Sequence, residues 1–259
     1  MVMELTFLGT GTSVGIPMIG CHCPVCTSKD PHNVRRRTCL YVRTEKTAFV
    51  IDTPPDFRQQ ALDFGIERVD AVVFTHAHAD HIFGFDDVRR FNTIQNCVIP
   101  AYADPETLAD LRRVFNYIGN RPSPNGLYRP LIDFVPVMAS FHIGDVTLTP
   151  LEVEHGYKMT GYHLECRGKR VGYVPDCHAM PDKTIDALKG VDVMVLDALR
   201  YNPHPSHICV RESLELLSRI GARESYLVHL CHDVDHASLE NRLPDGVRVS
   251  YDGLKVLLA

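Results

Sequence analysis

The chain has 259 residues, of which 45% are hydrophobic and 23% charged, so it is long enough to bury a sizeable core with an ordinary globular composition. Its formal net charge is −5, which excludes a global positive field that would gather nucleic acid. We therefore expect no stable nucleic-acid partner. The one basic run, Arg35, Arg36 and Arg37, is interpreted as a solvated loop.

The sequence contains no segment that indicates export or a membrane. Its first residues lack the basic start and apolar core of a signal peptide, and no apolar run approaches the roughly 20 residues of a spanning helix. We therefore expect a cytoplasmic protein without a membrane partner, whose nine cysteines are reduced. Clustered cysteines in that compartment indicate metal binding more than disulfides.

The first cysteines form a tight cluster near the start of the chain. Residues 3–8 alternate polar and apolar side chains, as a strand does, and a glycine-punctuated loop follows at 9–17. Three thiols then lie within six residues, at Cys21, Cys23 and Cys26, a spacing that suits Zn²⁺. They are one ligand short of a closed tetrahedral site. The candidates for the fourth ligand are His22, His32, Cys39 or a distant residue.

The rest of the chain predicts an alternation of strands and helices. Apolar runs bounded by turn residues indicate strands, and caps or terminal glycines delimit the helices. Asp104 is expected to cap the helix that begins at Pro105. The predicted strands are 40–43, 47–51, 71–74, 98–102, 131–136, 146–153, 162–167, 170–174, 191–197 and 226–228, with two more at the C-terminus. The predicted helices are 56–65, 105–117, 181–189, 207–220 and 236–243.

A dense group of metal-ligand side chains follows the apolar strand at 71–74. His76, His78, Asp80 and His81 fall within six residues. In an extended segment, positions i and i+2 point to the same side, so His76 and His78 can bind one ion together. Asp80 and His81 lie where the next helix should begin. Their side chains therefore suit a second ion nearby.

Further ligand candidates stand where other predicted strands end. His or Asp ends a strand at 52, 76, 155, 176, 197 and 229, and such residues converge at one edge of a sheet. His155 is the natural third ligand of the first ion and His229 that of the second, while the two oxygens of Asp176 can bridge both. Two ions held ~3.5–4 Å apart can activate a water between them. The mixed ligand set suits Zn²⁺, Mn²⁺ or Fe²⁺.

The run His76-x-His78-x-Asp80-His81, with the later His155, Asp176 and His229, resembles the metallo-β-lactamase superfamily. This resemblance extends over nearly the whole chain. It implies an α/β fold, a four-layer αβ/βα sandwich in which residues 1–259 form a single domain, with a dinuclear site at the edge between two sheets. It does not fix the substrate, because the superfamily includes lactamases, thioesterases, nucleases and phosphodiesterases.

Two N-terminal stretches narrow the resemblance. Phe7-Leu8-Gly9-Thr10-Gly11 and the cysteine loop at 20–26 resemble the phosphoribosyl cyclic phosphate phosphodiesterases of phosphonate breakdown, the PhnP type. Those enzymes are similar in their core to the tRNA 3′-processing nucleases but lack the long RNA-gripping arm, and no arm is apparent here. The resemblance implies a structural Zn²⁺ in a loop insertion at about 20–39. Its implied ligands are Cys21, Cys23, Cys26 and His232.

The same family implies a catalytic role for His207. Its position at the start of the predicted helix 207–220 suits it to stabilise a phosphorane-like transition state or to protonate the leaving oxygen. His204 is the fallback candidate, and His178 is a weaker candidate at the rim.

The expected reaction is the hydrolysis of a small cyclic phosphodiester by a hydroxide held between two Mn²⁺ or Zn²⁺ ions. His207 would assist departure of the sugar oxygen, and Asp80 would take part in catalysis as a metal ligand. Asp52, at the end of a strand, is either a turn residue or a carboxylate that orients a metal-bound histidine. The second role makes it a further site candidate.

Other functions on the same scaffold stay open. They are a cyclic-nucleotide phosphodiesterase, a nuclease, a thioesterase and a non-catalytic metal-binding protein. The missing arm and the acidic balance count against a nuclease, and the full ligand set counts against a non-catalytic protein. The family resemblance also suggests a homodimer.

Substrate choice is expected to be decided in the segment 84–130. Residues 118–130 are rich in Pro, Gly and Asn and predict a mobile lid or rim loop. Four arginines of this segment would either meet a second phosphate or be solvated: Arg89, Arg90, Arg121 and Arg129.

Overall fold

The computed structural model describes residues 2–121 and 126–259, and within them the chain forms two sheets of seven strands each. The strands are β1 (Met3–Gly9), β2 (Cys39–Arg43), β3 (Ala48–Ile51), β4 (Ala71–Val73), β5 (Ile99–Ala103), β6 (Ile132–Pro136), β7 (Phe141–Ile143), β8 (Val146–Glu154), β9 (Lys158–Cys166), β10 (Lys169–Val174), β11 (Val193–Asp197), β12 (Glu224–Val228), β13 (Val247–Val249) and β14 (Lys255–Leu258). The first sheet has the order β14-β1-β2-β3-β4-β5-β6, and the second has the order β13-β12-β11-β10-β9-β8-β7.

Both sheets are mixed, and their parallel parts decide where the site lies. Strands β3 to β6 are parallel to one another in the first sheet, as are β10 to β13 in the second. Strand β8 points the same way as β10, because both pair antiparallel with β9. The carboxyl ends of these strands therefore gather at one edge, where α/β proteins build their sites.

The described residues contain seven α-helices, most of which cover the outer faces of the sheets. They are α1 (Phe57–Asp63), α2 (Ala79–Ile82), α3 (Arg89–Gln95), α4 (Pro105–Val114), α5 (Asp182–Leu188), α6 (Val210–Ile220) and α7 (His236–Glu240). Side chains of α1, α3 and α4 pack on the first sheet, and those of α5, α6 and α7 pack on the second. None of the helices in the described part of the chain is long and apolar enough to cross a membrane.

Alternate residues of the central strands bury opposite faces of the same sheet. In β3, Phe49 belongs to the core between the two sheets, whereas Val50 packs under the helices of the first sheet. In β11, Val195 faces the other sheet and Met194 faces the helices. Strands buried on both faces read as continuous apolar runs. The layers are thus helix, sheet, sheet and helix, and the predicted αβ/βα sandwich is confirmed.

The helix predicted at 105–117 is present, with the expected cap. One carboxylate oxygen of Asp104 accepts hydrogen bonds from the backbone N–H groups of Glu106, at 3.0 Å, and Thr107, at 3.3 Å. The helix ends at Val114, three residues earlier than predicted.

The helix predicted at 207–220 begins late, at Val210. The N–H of Ile208 donates to the carbonyl of Cys177, at 2.6 Å, which holds this part of the chain outside the helix. The side chain of Glu212 accepts from the backbone N–H of Cys209, at 2.8 Å, and fixes the first turn there. The prediction that His207 lies at a helix N-terminus is therefore wrong.

The basic run at 35–37 is not a solvated loop. Arg35 is fully buried, and one of its guanidinium nitrogens donates to the carbonyl of Val234 at 2.8 Å. Arg36 and Arg37 form ion pairs with Asp63 and Asp56. Burial lowers the pKa of Arg35 to about 10, so this side chain is still charged at neutral pH.

Arg35 lies in the long loop 10–38 that joins β1 to β2. A Cβ on Gly11 would stand 2.8 Å from the Arg35 carbonyl oxygen, so only glycine allows this approach. The glycine-rich start of the loop is thereby packed against its end. That the loop contains an insertion at about 20–39, in a single domain of residues 1–259, stays a prediction.

We expect Arg35→Met to lower the free energy of unfolding by about 3 kcal/mol, because buried carbonyl groups lose a charged donor. Urea denaturation would measure the change. Arg36→Met is the matched control: its exposed ion pair is worth about 1 kcal/mol or less. Equal effects of the two substitutions would contradict the conclusion that the buried hydrogen bonds of Arg35 stabilise the fold.

Candidate metal centre

Seven predicted ligands lie at the edge where the strands end. His76 follows β4, His155 follows β8, Asp176 follows β10 and His229 follows β12. His229 has a φ of 59°, a left-handed conformation that is uncommon for residues other than glycine. Such backbone strain is typical of functional sites, where the surrounding structure enforces it.

His76, His78 and His155 form the first ligand group. One donor atom of each lies within 4.8 Å of the others, and His76 Nε2 is 2.9 Å from His78 Nδ1. His155 Nδ1 lies 2.7 Å from the carbonyl oxygen of Ser206, to which it donates. That bond leaves His155 Nε2 directed at the group. Three imidazoles in this arrangement could hold one metal ion.

Asp80, His81, Asp176 and His229 form the second ligand group, with one donor atom of each again within 4.8 Å of the others. Asp80 and His81 lie in the short helix α2. His81 Nε2 is 3.4 Å from Asp80 Oδ2 and 3.4 Å from Asp176 Oδ2. The other carboxylate oxygen of Asp176 is 3.3 Å from His229 Nδ1.

The carboxylate of Asp176 lies between the two groups. Its Oδ2 atom is 3.5 Å from His155 Nε2 and 3.7 Å from His76 Nε2, as well as close to His81. This is the place that a bridging ligand would take. The structure thus brings together all the residues predicted to hold two ions, in the predicted two groups.

Asp52 is fully buried beside the second group and holds His81 in place. Its carboxylate lies 2.8 Å from His81 Nδ1 and accepts from both the backbone N–H and the hydroxyl of Thr75, each at 2.8 Å. Burial raises the pKa of Asp52, while His81 and the Thr75 donors act in the opposite direction. These bonds favour an orienting carboxylate over a mere turn residue, since they leave His81 Nε2 facing the site.

The chemistry of the buried atoms fits divalent cations. Among the described residues, His81 Nε2 and Asp176 Oδ1 are buried and form no hydrogen bond, although buried polar atoms normally have a partner. Burial lowers the pKa of His76 well below its ordinary value and that of His229 to about 4. Both rings are then neutral at neutral pH, which is the form that binds metals.

His207 lies beside both ligand groups, in the loop before α6. Its ring centroid is 4.6 Å from that of His155 and 4.8 Å from that of His229. Its Nδ1 atom is 2.7 Å from Asp197 Oδ2. Burial opposes the charged form of His207, but the Asp197 carboxylate raises its pKa above the ordinary value.

Asp197 is one of the strand-end residues that were predicted to converge at this edge, and it had no predicted role of its own. It is fully buried at the end of β11, where it also accepts from the backbone N–H of Cys177 at 2.9 Å. Burial raises the pKa of Asp197 to about 7. Its position at a strand end, shared with the predicted ligands, was the signal that could have identified it.

The other two histidine candidates lie farther out. The His204 ring is 5.3 Å from that of His207, and its Nδ1 is bonded to Ser206. His178 is exposed. His207 is therefore the one of the three that packs against the ligands.

The cysteine cluster meets His232 across a wide separation in sequence. Donor atoms of Cys21, Cys23, Cys26 and His232 lie within 4.8 Å of one another. His232 Nδ1 is 3.2 Å from the sulfur of Cys21 and 3.5 Å from that of Cys23. A hydrogen bond from the backbone N–H of Cys26 is the main cause that lowers the pKa of Cys23 to about 6. Three thiols and one imidazole in this arrangement suit a closed zinc site.

Of the four rim arginines, Arg89 and Arg129 bind other groups of the rim, whereas Arg90 and Arg121 are exposed. Arg89 pairs with Asp86 at 3.0 Å and lies over the ring of Tyr128. Arg129 donates to the backbone carbonyls of Tyr117, at 2.7 Å, and Arg121, at 3.2 Å. Of the predicted lid loop at 118–130, residues 122–125 lie outside the described part of the chain.

Comparison with known proteins agrees with this geometry. A family model of the β-lactamase superfamily domain matches residues 47–230. A crystal structure of a diphosphatase from the PhnP family superposes with a TM-score of 0.90 and 37% identity, covering 99% of this chain and 97% of that one. Zinc-bound PqqB from Methylobacterium extorquens superposes with a TM-score of 0.81 over 98% of this chain and all of that one, at 19% identity, which shows the fold alone.

A sequence relative carries a different name. Over an alignment 266 positions long, the chain is 35% identical to a Porphyromonas gingivalis protein named octanoyltransferase. The match covers 99% of this chain but 52% of that protein. The chain thus spans about half the length of this relative.

The chain belongs to the metallo-β-lactamase superfamily and within it is close to the PhnP family. Both predicted resemblances are thereby confirmed. The fold, the clustered ligands and the diphosphatase relative indicate a metal-dependent hydrolase.

We expect Cys23→Ser to remove about one zinc per chain, as measured by elemental analysis, and to lower the melting temperature by several degrees, because a structural zinc contributes to folding. The exposed Cys97 provides the matched control, Cys97→Ser, which should change neither quantity. A Cys23→Ser protein with the zinc content of the parent would refute the structural site.

Proposed function

We propose that this chain hydrolyses a small cyclic phosphodiester of the phosphoribosyl cyclic phosphate type and releases a phosphomonoester. The observation that carries the proposal is the Asp197–His207 pair, which stands against both ligand groups. The closeness to the PhnP family and the cysteine cluster with His232 support it.

The proposed metal centre holds two divalent ions, Zn²⁺ or Mn²⁺. When bound, such ions activate water and offset the negative charge of the phosphoryl oxygens. The proposed ligands are His76, His78 and His155 for one ion and Asp80, His81 and His229 for the other, with Asp176 shared. A third ion, a structural Zn²⁺, is proposed at the cysteine cluster.

His207 is proposed to protonate the departing sugar oxygen. Its Nδ1 is bound to Asp197, which fixes the ring and leaves Nε2 to hold the proton that is transferred. An alkoxide is a poor leaving group, so its departure depends on a general acid. The carboxylate of Asp197 favours the protonated ring, as the raised pKa of His207 indicates.

A second candidate function is the hydrolysis of a diphosphate bond, which the name of the 37%-identical relative favours. A phosphate leaving group bears its negative charge more readily than an alkoxide does. It therefore requires less help from His207, and this difference separates the two candidates.

We further propose the partner, the location and the oligomeric state of the protein. The partner is a small-molecule phosphodiester, with no stable nucleic-acid partner, and the protein is a cytoplasmic homodimer. Gel filtration with light scattering would test the dimer.

We expect the purified, metal-analysed protein to hydrolyse a chromogenic bis-aryl phosphate when reconstituted with Mn²⁺ or Zn²⁺. A parallel panel of ribose cyclic phosphates, cyclic nucleotides, diphosphates and thioesters would rank the substrate classes by kcat/KM. A chelator-treated sample is the control and should be inactive. Absence of turnover of every phosphodiester with each metal would refute the proposed function, and a preference for diphosphates would favour the second candidate.

We expect His207→Ala to lower kcat for a cyclic ribose phosphate by about 10²–10⁴-fold, because the leaving alkoxide loses its acid. The loss with a nitrophenyl phosphodiester should be much smaller, since nitrophenolate departs without a proton. His204→Ala, with metal content verified in both variants, is the matched control. Equal losses with both substrates, at unchanged metal content, would contradict the role as general acid.

A further inference from the structure

Tyr157 lies in the tight loop between β8 and β9, at the mouth of the metal centre. Glu154 pairs directly with Lys158, so the loop has three residues. Its middle residue is Gly156, with a φ of 73°, the left-handed conformation that such short hairpin loops require. The loop begins with the ligand candidate His155 and ends with Tyr157.

The ring of Tyr157 stacks on His78. The two centroids are 5.2 Å apart and the ring planes differ by 28°. The other imidazoles of this group are fixed by hydrogen bonds on their far sides, His76 through the Thr75 hydroxyl and His155 through the Ser206 carbonyl. His78 is the partly exposed member of the group, and its outer side is in contact with an aromatic ring.

The hydroxyl of Tyr157 reaches the opposite half of the sandwich. It donates to a carboxylate oxygen of Asp110, which lies in α4 on the outer face of the first sheet. The other oxygen of Asp110 forms an ion pair with a guanidinium nitrogen of Arg113, at 2.7 Å.

Tyr157 thus connects elements of both halves of the sandwich at the first ligand group. It follows His155 of the second sheet along the chain, packs on His78 of the first sheet, and is tied to a helix of the first sheet. Its backbone joins two strands of the second sheet and its hydroxyl is bound to a helix on the first, so it limits how far the two sheets can separate at this edge. Outer contacts of this kind orient metal ligands and tune metal affinity.

We propose that Tyr157 is a positioning residue for the ion held by His76, His78 and His155. Its ring fixes the orientation of His78, and its bond to Asp110 fixes the ring. The inference rests on the proposed metal centre but not on the identity of the substrate.

The test compares metal binding by Tyr157→Ala, Tyr157→Phe and Asp110→Asn, measured by competition with a chromogenic chelator in the absence of substrate. Tyr157→Ala removes the stack and should weaken one of the two active-site ions by about 10-fold or more. Tyr157→Phe and Asp110→Asn keep the ring and remove or weaken its anchor, so each should give a smaller loss on the same ion. The second active-site ion should be bound as in the parent.

Tyr117→Phe is the matched control. Tyr117 is 37% exposed, against 38% for Tyr157, and its hydroxyl donates to a carboxylate in the same manner, to Asp86 at 2.8 Å. Metal affinity of this variant should equal that of the parent. Melting of the metal-free proteins shows whether each variant is folded. If Tyr157→Ala is unfolded, the comparison of Tyr157→Phe with Tyr117→Phe decides the test.

Retention of both ions by Tyr157→Ala within twofold of the parent, or an equal loss in Tyr117→Phe, would overturn the proposal. A parent protein that binds no ion at His76, His78 and His155 would overturn it as well. Failure of the parent to hydrolyse phosphodiesters would refute the proposed function while leaving this result intact, because the measurement uses no substrate.

Discussion

One buried carboxylate, that of Asp176, lies 3.3–3.7 Å from imidazole nitrogens of His229, His81, His155 and His76, which come from both sheets. A charge at this depth is unfavourable unless opposite charge accompanies it. The two sheets must therefore meet at this edge in one arrangement, which surrounds the carboxylate with imidazoles that can bind metal cations. The parallel strands make this possible, because their carboxyl ends lie at the same edge of the sandwich.

Buried carboxylates at strand ends also support histidines from behind the ligands. Asp52 follows β3 and binds His81 Nδ1, and Asp197 ends β11 and binds His207 Nδ1. In both cases the far ring nitrogen is left for the site. Carboxylates at strand ends thus act either as ligands or as supports, and their distance from the centre distinguishes the two roles.

The sequence was sufficient for the fold class and for most of the site. Apolar runs buried on both faces predicted the central strands, and the i, i+2 spacing of His76 and His78 predicted two rings on one side. Helix bounds were less accurate, since the bonds of Ile208 to a distant strand end delay α6 until Val210. The prediction that Arg35 is solvated was wrong, because charged side chains are rarely buried and no local pattern indicated it. The carbonyls that accept its hydrogen bonds lie about 200 residues away.

What the sequence by itself determined was which side chains stand at strand ends and in what local spacing, because backbone periodicity is a local property. Only the tertiary structure decided the contacts that neither a local pattern nor the family resemblance predicted. Tyr157 and Asp110 are 47 residues apart, and Arg35 and Val234 are 199 apart. No local pattern encodes such pairs: their contact follows from how the two sheets pack, and packing is determined by the whole core at once.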